Sequence, residues 1–212
     1  MKRNRQWIGL AMGVVFIILV VGAFILLGEG KDPAKDSAQE IADYYNSHYT
    51  RQTVGSVIAA FAAVPLLFFA GALRRVLRDA EGPDGTLSLV AFGAAVLFAG
   101  GLTVGASINL AVADFADNID PVALQAVNAI NFDYFFPFVV GMAAFLLATG
   151  ISAVRSGALP KWLSWAAIVL GVLCFAGPPG FFAFLAGLLW ILVTSVMLAA
   201  GMRRPGAAPA AS

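Results

Sequence analysis

From Trp162 to Met202 the chain runs for 41 residues without an Asp, Glu, Lys or Arg. A helix rises about 1.5 Å per residue and the hydrocarbon core of a bilayer is about 30 Å thick, so about 20 apolar residues make one crossing. This run is long enough for two. Its middle reads Gly177-Pro178-Pro179-Gly180, where the prolines remove backbone donors and the glycines permit a reversal. The stretch therefore predicts two helices joined by a tight turn. The same ruler finds 23 uncharged residues between Arg5 and Glu29, 22 between Arg51 and Arg74, 29 between Asp84 and Asp114, and 21 between Asp133 and Arg155.

The fold predicted is an all-α integral membrane protein: a six-transmembrane-helix bundle in a single membrane domain, 1–212. Its spans are expected at 7–28, 53–73, 87–112, 134–154, 162–176 and 181–201, with a disordered tail at 205–212. The first run follows Met1-Lys2-Arg3-Asn4-Arg5, which resembles the charged start of a secretory signal. A signal's apolar region is about 7–15 residues long and ends in small residues. This one is longer and ends Leu26-Leu27-Gly28-Glu29-Gly30, so an uncleaved anchor is expected.

Composition agrees. Apolar residues make up 60% of the chain and charged residues 12%, against about 45–50% and 25% in a soluble domain. A net charge of +1 excludes a nucleic-acid binder, which needs clustered positive charge against phosphate. One cysteine, Cys174, excludes an internal disulfide framework and a multi-cysteine metal site.

Charge sets the orientation. With six spans, one side collects Lys2, Arg3, Arg5, Arg74, Arg75, Arg78, Arg155, Lys161, Arg203 and Arg204, which is ten of the thirteen basic residues; the other side holds Lys31, Lys35 and Arg51. Nine of the twelve acids fall on that second side. Cytoplasmic loops retain Lys and Arg, so both termini are expected in the cytoplasm and the acidic loops outside.

The first outer loop predicts a short amphipathic helix. Ser37-Ala38-Gln39-Glu40 has capping-box spacing, and Ala38, Ile41, Ala42, Tyr45 and Tyr49 then recur on one face. The second outer loop predicts a helix that starts at Asp120-Pro121 and carries Val122, Ala126, Val127 and Ile130 on one face. Pro137 is expected to kink or restart the helix that follows. Gly82-Pro83-Asp84-Gly85 reads as a turn.

Ionisable groups at mid-membrane depth are costly and mark transport or catalysis, and these spans place none there. Asn109 is the most informative polar residue. It follows Gly101 and Gly105 at four-residue steps, and Thr103 and Ser107 lie nearby. Two expectations stand. The stripe lines a polar cavity open to the outside, or small residues admit a neighbouring helix and Asn109 bonds across to it. Similar stripes at Gly9/Gly13, Gly55/Ala59/Ala63 and Ala167/Gly171 suit helix packing. His48, the single histidine, could share a face with Glu40 and Tyr44. With Asp43, Asp114 and Asp117 it would form an acidic, pH-sensitive outer surface. One histidine is thin support for a metal site, and none is expected, nor any cofactor. No Gly-x-Ser-x-Gly elbow, His-Glu-x-x-His or phosphate-binding Gly-x-x-x-x-Gly-Lys-Ser/Thr occurs.

Gly157-Ala158-Leu159-Pro160-Lys161-Trp162-Leu163-Ser164-Trp165 resembles the entry to a late span in a family of small six-span membrane proteins of actinobacteria. The basic stretch 73–82 and the hairpin 177–185 are similar to theirs as well. The resemblance implies six spans and a bacterial plasma membrane, and it carries over no catalytic residue. The function expected is non-enzymatic, a membrane component acting through helix packing, self-association or contacts with other membrane proteins. The alternative is a carrier or channel for a small apolar or cationic solute.

Overall fold

A computed structural model describes residues 2–83 and 85–203; the tail expected at 205–212 lies outside them. Helices fill it: α1 (Lys2–Leu27), α2 (Ala38–Ser47), α3 (Tyr49–Glu81), α4 (Thr86–Phe115), α5 (Pro121–Asp133), α6 (Phe136–Ser156), α7 (Lys161–Leu173) and α8 (Pro178–Arg203). There is no strand among the described residues.

Five helical segments are long and apolar enough to cross a membrane: those within α1, α3, α4 and α8, and the α5–α6 stretch Pro121–Ser156. α7 is the exception. Expected over 162–176, it is helical over 13 residues, about 20 Å, which falls short of a 30 Å crossing. Residues 174–177 leave the helix to make the reversal instead, and Gly177 there takes φ +69°. Gly180 then lets α8 begin against the end of α7, since a Cβ on it would stand 2.6 Å from the Cys174 carbonyl oxygen.

Consecutive long helices are neighbours. α1 packs on α3, α3 on α4, α4 on α6, α6 on α7 and α7 on α8, and α8 closes the ring against α1. Phe16, Leu66, Phe69, Phe98, Met142, Phe145, Phe184 and Ile191 are buried in the core. Outward-facing positions are just as oily: Ile18, Ile25, Phe61, Phe68, Phe182 and Leu189 are all exposed. A surface of that kind is stable against lipid tails and not against water. Backbones approach closely where α4 meets α6. A Cβ at Gly141 would lie 2.6 Å from the Phe98 backbone nitrogen, so only glycine fits there. Polar side chains also tie helices together, with Trp190 Nε1 donating to the Leu163 carbonyl at 2.8 Å and Ser195 to the Leu10 carbonyl.

α2 and α5 do not join the ring. They pack on each other across one end of it, forming a second, smaller core of Ile41, Ala42, Tyr45, Val112, Ala113, Ala116 and Leu124. Local chemistry sets where each begins. Ser37 Oγ accepts from the Glu40 backbone N–H (3.3 Å) while the Glu40 carboxylate accepts from the Ser37 N–H (2.8 Å), the reciprocal capping box. Asp120 Oδ1 accepts from the Val122 N–H at 2.9 Å, and Pro121 follows the cap at a position whose N–H would have been an orphan. α5 stops at Asp133 and the chain restarts as α6 at Phe136, with Pro137 in its first turn.

Candidate functional site

The polar residues of α5 face inward. Val122, Ala126, Val127 and Ile130 share a face as their spacing predicts, and all four are exposed, while Leu124 and Asn128 are buried. This is the reverse of a helix on a soluble protein, and suits one whose outer neighbour is lipid.

Inward, α5 meets a chain of amides and phenols that runs through the end of the bundle. Asn109 on α4 is its hub. Its Nδ2 donates to Gln52 Oε1 (3.0 Å) and Ser56 Oγ (2.9 Å) on α3, and its Oδ1 accepts from Asn131 Nδ2 on α5 (2.9 Å). Asn131 also donates to the Tyr45 hydroxyl (3.3 Å), which in turn donates to Asn128 Oδ1 (2.9 Å). Asn128 Nδ2 donates to the Lys31 carbonyl (2.9 Å). From the other side, Gln52 Nε2 donates to the Leu27 carbonyl (2.9 Å) and the Tyr44 hydroxyl (3.2 Å), and that hydroxyl donates to the Glu29 carbonyl (3.0 Å). Gln52, Ser56, Asn128 and Tyr45 are almost fully buried. Burial pushes the Tyr45 phenol up to about 12, because the charged form loses its water. A buried polar network of this kind is stabilising only if its members are satisfied, and nearly all of these are.

Directly beneath lies a cavity of 210 Å³. Phe24, Phe135, Phe138, Phe181 and Phe184 form most of its wall; Asn109, Asn131 and Tyr134 lie along its polar edge, and no charged residue lines it. Asn131 Oδ1 has no hydrogen-bond partner among the described residues, although both of its donors are used.

The sequence-predicted residues are distributed as follows. Gly101 and Gly105 meet helix: Cβ atoms on them would press on Pro137 and Phe138, and on Tyr134 and Phe138. Thr103 and Ser107 do not join Asn109. They lie on another face, along a shallow open depression with Val104 and Ala111, and bond back to the carbonyls of their own helix. On α2, Glu40 is engaged by Ser37, and those bonds hold its carboxyl below the ordinary range; Asp43 accepts from Gln39 at 2.8 Å. His48 stacks on Tyr44, with ring centres 4.6 Å apart, and its Nδ1 lies 2.9 Å from the Tyr44 carbonyl. No carboxylate bonds to it among the described residues. Asp114 is exposed and Asp117 pairs with its neighbour Asn118. No cluster of three or more His, Cys, Asp or Glu fit to hold a metal occurs among the described residues.

Sequence reasoning singled out Asn109 and missed Gln52, Ser56, Asn128 and Asn131. The available signal was a pair of asparagines three residues apart on one face of a loop helix. No protein-family model matches this chain, and it has no match among curated proteins or solved structures.

Proposed function

We propose that the chain is a six-span protein of a bacterial plasma membrane, with both termini cytoplasmic, which acts without catalysis as a membrane component through helix packing and contacts with itself or other membrane proteins. The observation that carries this reading is the state of Asn109. All three of its side-chain hydrogen bonds go to residues of α3 and α5, so its amide is spent on joining helices. The charge distribution supports the orientation: Arg74, Arg75, Arg78, Arg155 and Lys161 gather at the end away from α2 and α5, whereas the end carrying them has Lys31, Lys35 and Arg51. The place of α7 between α6 and α8 in the ring supports counting it as the sixth span.

The test is flux. Proteoliposomes holding the purified chain should take up Rb⁺ and indole no faster than empty liposomes. Uptake that Asn109→Ala abolishes would overturn the reading.

One observation favours a second reading, in which the protein binds or carries a small uncharged apolar solute. An apolar cavity of about 150 Å³ can hold benzene, and this one is larger and aromatic, with an unbonded amide oxygen at its edge. Indole should then raise the unfolding temperature of the wild type and not of Ala59→Leu, which fills the cavity. Equal shifts in both proteins would sink the idea.

A further inference from the structure

At the end of the bundle opposite α2 and α5, helix α3 emerges with Arg74, Arg75 and Arg78. All three line one cavity of 330 Å³, together with Gly71 and Phe92, and no carboxylate lines it. The Arg74 guanidinium stands 5.8 Å from the centre of the Phe92 ring. Its Nε is buried with no hydrogen-bond partner, a state that costs free energy and calls for an explanation. Arg78 has one acidic contact, Asp79 at 3.5 Å, with both side chains well exposed, so the pair neutralises little.

The resistance of arginine to translocation accounts for basic residues gathering at one end. It does not account for three of them surrounding a single hollow, or for a sealed guanidinium N–H that lacks an acceptor. Guanidinium groups present forked donors that match phosphate oxygens two at a time. The geometry points to a phosphate-binding site: Arg74, Arg75 and Arg78 hold the phosphate of an anionic phospholipid headgroup or of a soluble phosphate. Turning the Arg74 guanidinium toward that group supplies the acceptor its N–H lacks, while Phe92 continues to support its face. The depth favours lipid as the source. The 22 uncharged residues between Arg51 and Arg74 span about 33 Å of helix, which matches the hydrocarbon thickness and brings the arginines out at headgroup level.

The full chain in a neutral detergent is titrated with dioleoylphosphatidylglycerol, with dioleoylphosphatidylcholine and with inorganic phosphate, and its unfolding temperature is followed. Phosphatidylglycerol should raise the midpoint at concentrations where phosphatidylcholine does not. Arg74→Gln and Arg75→Gln should each weaken that response about fivefold in apparent affinity. Arg155→Gln, at the same end but outside the cavity, should leave it unchanged. If inorganic phosphate reproduces the shift, the site stands and its source is soluble; if it has no effect, the source is the lipid. Should Arg74→Gln fail to fold, the double variant Arg75→Gln/Arg78→Gln, made at two exposed side chains, carries the same expectation. Equal responses to the two lipids, with no shift from inorganic phosphate, overturn the proposal. So does a loss in Arg155→Gln as large as that in Arg74→Gln, because the attraction is then diffuse.

Discussion

Asn131 donates to Asn109 across 2.9 Å, and that bond fastens α5, too short to cross a membrane by itself, to α4, one of the helices that can. Around it, side chains of α3, α4, α5 and α2 join in one hydrogen-bonded chain. At that end of the bundle, amides and phenols therefore reinforce the small apolar core that α2 and α5 share with α4.

Asn109→Ala removes three bonds and strands Gln52, Ser56 and Asn131. With cross-helix bonds of about 0.6 kcal/mol each, the variant should lose about 2 kcal/mol of stability. Unfolding in mixed micelles measures the loss. Adding Asn131→Ala should cost less than the sum of the two single changes, because the shared bond is removed only once. Strict additivity would show that the two amides do not meet.

Tyr45 ties stability to alkaline pH. Its folded pKa, pushed up to about 12 by burial, lies above the ordinary phenol value of 10.0. The contribution is thus complete below pH 10, and it is lost as pH climbs through about 12, because the unfolded chain releases this proton first. Unfolding midpoints recorded from pH 9 to 12 should fall more steeply in the wild type than in Tyr45→Phe. Identical slopes would count against a buried phenol.

Glu40 acts in the opposite direction. Its carboxylate accepts from the Ser37 N–H and hydroxyl, which lowers its pKa from 4.5. The stabilisation is present above 4.5 and disappears as pH falls through the lower folded value. Hydrogen-exchange protection factors at the first turn of α2, taken relative to the intrinsic exchange rate at each pH, should fall on acidification. In Ser37→Ala they should already be low at neutral pH, with much less further dependence on acid.

Gly141 and Gly93 make a matched pair. An alanine methyl at 141 would run into the Phe98 backbone, whereas at 93 it meets nothing within 4 Å. Gly141→Ala should cost about 1–3 kcal/mol, while Gly93→Ala should be neutral or slightly stabilising. Equal stabilities would mean that α4 and α6 can separate without cost.

What could be read from the sequence was what depends on near neighbours in the chain. The capping box at Ser37, the Asp120-Pro121 start, the restart at Pro137 and the reversal at Gly177 each follow from three or four consecutive residues, and each is present. The apolar face of α5 was legible as a periodicity, but its direction was not, since periodicity does not say whether the medium outside is water or lipid. Asn109 stood out because an amide among glycines and alanines is conspicuous. Its partners did not, because Gln52 and Ser56 lie 57 and 53 residues away and no spacing rule reaches that far. The length of α7 escaped notice for a related reason. An uncharged run measures what can enter a membrane and not where the backbone chooses to turn.

The hydrogen bond from Tyr45 to Asn128 joins residues 83 positions apart, and this separation sets an order of assembly. When α2 leaves the ribosome, the surface that buries Ile41, Ala42 and Tyr45 has yet to be synthesised, because Val112, Ala113 and Leu124 come later in the chain. Until α4 and α5 have been made and put in place, the oily flank of α2 lacks the surface that buries it. The burial of that flank is therefore a late event in biosynthesis, one that waits for α4 and α5. Nascent chains halted after Phe115 should leave α2 open to protease, and chains extended past α6 should protect it.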